Sequence, residues 1–176
     1  IEHRYRKIVD FNLVLRKNRV LAGDGRVFVH TDDSRRGGKS TFICFELATG
    51  KELWSIPTTE WAKSSPKLVF YQAGILLSAS RDGNHVVSAK DGKHLWDYKY
   101  ALIGHGGSFQ KTLYSNGLVW VHVASFEGKK QYAWEGLEPL TGKVVKRVIQ
   151  PKKFAMKHRC NYDVATENLF RCGSMD

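Results

Sequence analysis

Short apolar stretches recur along the chain, and none keeps a 3.6-residue stripe of helical length. Val119-Trp120-Val121-His122-Val123 mixes alternation with continuous apolarity, as a strand buried on both faces does. The pattern predicts strands over 18–22, 26–31, 41–46 and 51–56. It predicts four more over 68–71, 74–80, 85–89 and 94–98, and a third set over 109–114, 118–124, 131–137 and 143–149. Turn signals separate them at Gly23-Asp24-Gly25, Asp82-Gly83-Asn84, Asn116-Gly117 and Glu127-Gly128. A single helical turn over 58–63 is the one helical feature expected.

The three sets share a motif. Glu46-Leu47-Ala48-Thr49-Gly50-Lys51-Glu52-Leu53-Trp54 returns as Ser88-Ala89-Lys90-Asp91-Gly92-Lys93-His94-Leu95-Trp96. It returns worn as Glu138-Pro139-Leu140-Thr141-Gly142-Lys143-Val144-Val145, with Lys146 where the tryptophan stood. The intervals from Thr49 to Asp91 and from Asp91 to Thr141 are 42 and 50 residues, the length of a propeller blade. A Thr-Gly or Asp-Gly pair suits a tight hairpin, because glycine takes positive φ at no steric cost. The tryptophan beyond it is placed to cover a seam between blades. The expected class is all-β: a partial β-propeller of about three four-stranded antiparallel blades plus an incomplete fourth. The blades run over 18–56, 68–98 and 109–149, with the incomplete one over 158–176, in one domain spanning 1–176. A β-sandwich also has many short strands, but it does not require a turn motif at a fixed place in each unit.

These turn segments, TGKELW, DGKHLW and the decayed TGKVVK, resemble the pyrroloquinoline-quinone (PQQ)-type propeller repeat, with its Ala-x-Asp-x-x-Thr-Gly-x-x-x-Trp signature. The resemblance spans 18–149, and Glu46 stands where the signature has Asp. The stretch His158-Arg159-Cys160-Asn161-Tyr162-Asp163-Val164-Ala165-Thr166-Glu167 resembles a segment of large PQQ-like repeat proteins of planctomycete-type bacteria. There it opens another blade. The resemblance implies a parent of about seven or eight blades, exported to a periplasmic or extracellular space, of which this chain is a fragment. Three and a half blades do not close, so an open arc that self-associates through its ends is expected. A quinoprotein dehydrogenase needs a calcium site, an Asp base and usually a vicinal disulfide. The sequence has no adjacent cysteines and no evident Asp/Asn cluster. The expectation is therefore a non-catalytic scaffold or binding module without cofactor, PQQ and calcium belonging only to the full-length parent. The alternatives are part of a PQQ-dependent alcohol or sugar dehydrogenase, and a propeller of the outer-membrane assembly lipoprotein type that holds a protein partner.

Composition changes this picture little. No apolar run approaches the roughly 18 residues of a membrane helix. The net charge of +11 admits either a bound polyanion or a generally basic surface. Its Lys and Arg residues are spread out, with no long basic tail, so sequence-specific nucleic-acid binding is not expected. They concentrate in the loops where propellers place ligands: 57–66, 99–108 and 150–157, with 32–40, 81–84 and 125–130. A protein or anionic ligand on that basic face is the expected partner, besides the remaining blades of the parent. Candidate ligand-face residues are Trp61, His105, Ser108, His158 and Arg159; no catalytic or metal-binding residue is singled out. His105 stands in Gly104-His105-Gly106-Gly107-Ser108, a glycine-rich connection that suits close approach to a ligand or to a neighbouring blade. Gly37-Gly38-Lys39-Ser40 is not a phosphate loop: Asp33 holds the place of its first glycine and a strand follows. Cys44, Cys160 and Cys172 form no CxxC pair, which leaves a Cys160–Cys172 disulfide or three buried thiols.

Overall fold

Turn chemistry sets the elements. In the computed structural model, which describes residues 20–31, 40–63, 65–80, 82–99, 112–123, 133–149, 163–166 and 170–172, β1 (Val20–Gly23) turns into β2 (Arg26–Thr31) through Asp24-Gly25. Both turn residues have positive φ, 48° and 69°. The same two-residue turn joins β5 (Lys67–Gln72) to β6 (Ile75–Ala79) through Ala73-Gly74, and β9 (Thr112–Ser115) to β10 (Leu118–Val123) through Asn116-Gly117. Two residues at positive φ match the right-handed twist of the flanking strands.

The third and fourth strands are β3 (Thr41–Glu46) with β4 (Glu52–Pro57), β7 (Asn84–Ser88) with β8 (His94–Tyr98), and β11 (Ala133–Leu137) with β12 (Val144–Ile149). Their turns repeat bond for bond. Gly50, Gly92 and Gly142 donate their N–H to the carbonyls of Glu46, Ser88 and Glu138. The N–H groups of Glu46, Ser88 and Glu138 in turn reach Lys51, Lys93 and Lys143. The side chain before each glycine accepts from the N–H two residues on: Thr49 from Lys51, Asp91 from Lys93, Thr141 from Lys143. Thr and Asp both make this local turn bond, which explains their exchange in the repeat.

Three four-stranded antiparallel sheets result, in the orders β1-β2-β3-β4, β5-β6-β7-β8 and β9-β10-β11-β12. A hairpin of β13 (Asp163–Ala165) and β14 (Phe170–Cys172) follows, and β13 lies beside β9 as β5 lies beside β1. Among the described residues the helical content is one 3-10 turn at Thr58–Glu60. The fold is the all-β partial propeller that the sequence predicts. Boundaries differ by a residue or two, and the strand expected over 109–114 sits at Thr112–Ser115, with 109–111 outside the described residues.

The chain divides into two compact units, residues 1–94 and 95–176. In the first, Phe28, Phe42 and Cys44 on one face of the first sheet pack on Leu68, Leu76, Val87 and Ala89 of the second. Phe28, Cys44 and Trp54 form one cross-strand row, and His30, Phe42 and Ile56 the next. Trp54 donates its indole N–H to the Ala89 carbonyl at 3.2 Å, and its ring lies where a Cβ on Gly92 would stand. Arg26 reaches the same carbonyl. In the second unit Trp96 repeats this arrangement: it donates to the Pro139 carbonyl at 2.8 Å and lies over Gly142. Ala89 and Pro139 occupy one position of the repeat, as do Gly92 and Gly142. The two tryptophans thus stand at equivalent places; Trp96 is buried and Trp54 half-buried.

Candidate functional site

In each four-stranded meander the tight turns gather at one end. At the other end lie the far ends of the second and third strands and, in the first unit, the connection over 57–63. Trp61, the expected ligand residue that is described, belongs to that second end.

In the first unit it is built from the ends of β2, β3 and β7 and from the 3-10 turn. His30 closes β2, and its Nε2 lies 2.6 Å from the Ser40 hydroxyl. The Ser40 carbonyl accepts both the N–H (2.8 Å) and the hydroxyl (3.2 Å) of Thr58, which ties the connection down. The same turn carries Trp61 into the gap between sheets. Its ring is 5.5 Å from Phe42 on one side, 5.1 Å from His85 on the other, and stacks on His94 at 5.7 Å. His85 Nε2 lies 2.8 Å from the Ser80 hydroxyl, which also accepts the Asp82 N–H. The Asp82 carboxylate accepts the N–H of Lys63, so the connection and the loop before β7 are joined.

In the second unit His122 stands at the place of His30, five residues beyond the turn glycine, and Trp134 at the place of Phe42. Both pairs meet edge to face, His30–Phe42 at 5.1 Å and His122–Trp134 at 5.2 Å. The second sheet has Ala79 there.

A serine hydroxyl beside an imidazole nitrogen is the pairing of a nucleophile and its base. Here His30 is 1% and Ser40 4% exposed, and Ser80 1% and His85 3%. A nucleophile must be reached by an electrophilic carbon, and neither oxygen faces solvent. The bonds do structural work: each satisfies a buried polar pair where a bare one would cost roughly 1–3 kcal/mol. Burial raises the Cys44 thiol above its ordinary pKa, with Arg26 opposing, so it behaves as a small hydrophobe. Among the described residues no cluster of His, Cys, Asp and Glu is arranged to hold a metal ion.

Of the five residues the sequence singles out, the structure describes Trp61, half-buried at the seam. His105, Ser108, His158 and Arg159 lie outside the described residues, as do Cys160 and most of the loop cations. Lys63 and Lys99 are described at this end, both exposed. The sequence reading did not select His30, His85 or His122. The signal available for two of them was their shared offset from Gly25 and Gly117.

No family model matches this sequence, and no curated protein matches it. Solved structures similar to it include BamB from Moraxella catarrhalis, at 13% identity and a TM-score of 0.44, over 70% of this chain and 33% of that one. Quinohemoprotein alcohol dehydrogenase from Comamonas testosteroni aligns at 15% identity and a TM-score of 0.48, over 73% of this chain and 26% of the other. Quinohemoprotein alcohol dehydrogenase ADHIIG from Pseudomonas putida HK5 aligns at 13% and 0.48, over 87% and 30%. The chain spans no more than a third of the length of any of these three.

Proposed function

We propose that this chain is a non-catalytic propeller scaffold, part of a larger exported protein, whose loop end holds an acidic protein partner. The observation that carries the reading is the seam repeated at Trp54 and Trp96. The chain's most specific chemistry, an indole donating to a neighbouring turn over a glycine, is used to stack blades. Of the described residues there, His30, Ser40, Ser80, His85 and His122 are likewise sealed into packing. That leaves exposed cations there to meet a partner. In the described part they include Lys63 and Lys99, and the sequence has Arg35, Arg36, Lys39, Lys129 and Lys130 in segments outside the described residues. Surface cations steer and select a partner more than they fix it tightly, so binding of this kind is salt-dependent.

The test is titration with polyglutamate at low and high salt, followed by calorimetry. Lys63→Glu together with Lys99→Glu weakens binding several-fold. Lys51→Glu with Lys93→Glu, the same charge change at the opposite end, changes it little. Equal losses from both pairs make the binding a net-charge effect and sink the reading. Titration with calcium and PQQ supplies the rival outcome: saturable micromolar binding of the quinone favours the dehydrogenase alternative.

A further inference from the structure

A carboxylate buried in the third sheet holds a cation that is not buried. Glu135 stands in the middle of β11 and is 8% exposed. One of its oxygens accepts the Tyr98 hydroxyl at 2.8 Å, and the other accepts the Nε–H of Arg147 at 2.7 Å. A carboxylate taken out of water needs donors in its place, and these two supply them. The Arg147 side chain nevertheless stays 52% exposed. All three residues lie within the second unit, residues 95–176.

Neighbours from this chain surround that pair. Side chains alternate along β12: Lys146 and Val148 pair with Gly136 and Trp134 and point to one face, while Arg147 pairs with Glu135 and points to the other. Tyr98, the last residue of β8, comes in on that same face. Lys99 follows it directly and is exposed. A mobile surface arginine loses rotamer freedom when it meets a partner. Arg147 is already tied at Nε, the root of its guanidinium, to a rigid strand, so less ordering remains to oppose binding.

We infer that Arg147 is a specificity-determining contact for the acidic protein partner proposed above: its guanidinium, aimed by Glu135, takes a carboxylate of that partner, with the Lys99 ammonium as a second cation of the same unit. The inference rests on that reading. The planar fork of a guanidinium matches a carboxylate in a way that an ammonium does not. One held arginine and one lysine suit the separate carboxylates of a protein surface, whereas a phosphate chain is held by many cations at once. Glu135 and Tyr98 are positioning residues.

Calorimetric titration of the whole chain with polyglutamate at moderate salt tests it. Arg147→Lys keeps the charge but loses the fork and the Nε bond, and it weakens binding several-fold. Lys146→Met, one residue away on the opposite face, removes a whole charge and changes binding little. Glu135→Leu raises the net charge by one yet weakens binding, because Arg147 is no longer aimed. Circular dichroism and urea unfolding show that each variant is folded. An Arg147→Lys chain that binds like the wild type, whatever its stability, makes the pair a structural tie and overturns the inference. A larger loss from Lys146→Met than from Arg147→Lys, or tighter binding by Glu135→Leu, makes net charge the cause and overturns it too. So does polyphosphate that outcompetes polyglutamate and depends on Arg147. If Lys63→Glu with Lys99→Glu weakens binding while Arg147→Lys does not, this inference alone fails; a wild-type chain that binds no polyglutamate removes the acidic-partner reading itself.

Discussion

Tyr71 shows how one side chain reports a seam. Its ring packs 4.9 Å from Phe28, and its hydroxyl donates to the Asp24 carboxylate of the neighbouring sheet at 2.5 Å. Burial first, then the bond to Asp24 and its charge, push the phenol up to about 12, with Arg26 opposing. An unfolded tyrosine ionises near ~10. A group whose folded pKa is raised lends stability that is fully present below its unfolded pKa and lost as pH rises through the folded one. Tyr71 therefore supports the fold up to pH about 10 and releases it toward about 12. Burial and the Glu135 carboxylate raise Tyr98 as well, so it too lends stability that is lost as the pH climbs into the alkaline range. Followed by phenolate absorbance, Asp24→Asn will bring one tyrosine's ionisation part of the way back, since burial remains. Asn keeps the positive φ of that turn residue, so the backbone is not the variable. An unchanged titration would mean that the hydroxyl does not meet Asp24. At this scale the sequence was only partly legible. Trp61 stands out in a loop between strand sets, and it does lie at the loop end. His30 and His122 do not, because a histidine among valines reads alike whether it binds a ligand or packs. What decides is the cross-strand neighbour, Phe42 or Trp134, and that depends on register.

The strands were legible because their turns are. Asp24-Gly25 and Asn116-Gly117 advertise positive φ, and the Thr-Gly-Lys and Asp-Gly-Lys turns advertise both φ and a local side-chain bond. Ala73-Gly74 was invisible as a turn pair, since Ala at φ 50° is set by the pairing of β5 and β6 rather than by its own preference. Left-handed backbone costs an L-residue roughly 1–2 kcal/mol. The motif glycines separate that cost from the cost of the seam. Gly50→Ala meets only the backbone penalty, because among the described residues no atom lies within 4 Å of the new methyl. In Gly142→Ala the new methyl would lie 2.6 Å from a ring carbon of Trp96. The expected result in urea unfolding is a loss of about 1–2 kcal/mol for Gly50→Ala, and a clearly larger one for Gly142→Ala. The latter should also show a shift in tryptophan fluorescence as Trp96 is displaced. Equal losses at the two sites would mean that the indole does not rest on the glycine. The worn third copy could be aligned from Thr141-Gly142-Lys143 alone, yet the exposure of β12 is not readable there, because Lys146 in place of a tryptophan is also what an ordinary solvated strand has.

At the scale of the whole molecule, a chain built from repeats is held by what each blade does for its neighbour, and its stability is close to a sum of blade and seam contributions. The seams here are separable. Trp54 joins the first sheet to the turn at Ala89, within residues 1–94, and Trp96 joins β8 to the turn at Pro139, within residues 95–176. Removing one indole takes away a large apolar surface and an N–H donor, and it leaves a carbonyl on the facing turn without that donor. For a buried tryptophan such truncation costs about 3–5 kcal/mol; Trp54 is half-buried, so its loss belongs at the low end of that range. The consequence should be local. In native-state hydrogen exchange, Trp54→Ala is expected to speed the amides of β2, β3 and β7 while leaving β10 and β11 near their wild-type rates. Trp96→Ala is expected to do the reverse, loosening β11 and sparing β2 and β3. A chain of nearest-neighbour contacts predicts this asymmetry, whereas a single cooperative core predicts that either substitution accelerates exchange across all three sheets alike. If both variants show the uniform pattern, the tryptophan seams are not independent joints, and the blades unfold as one body despite their repeated construction.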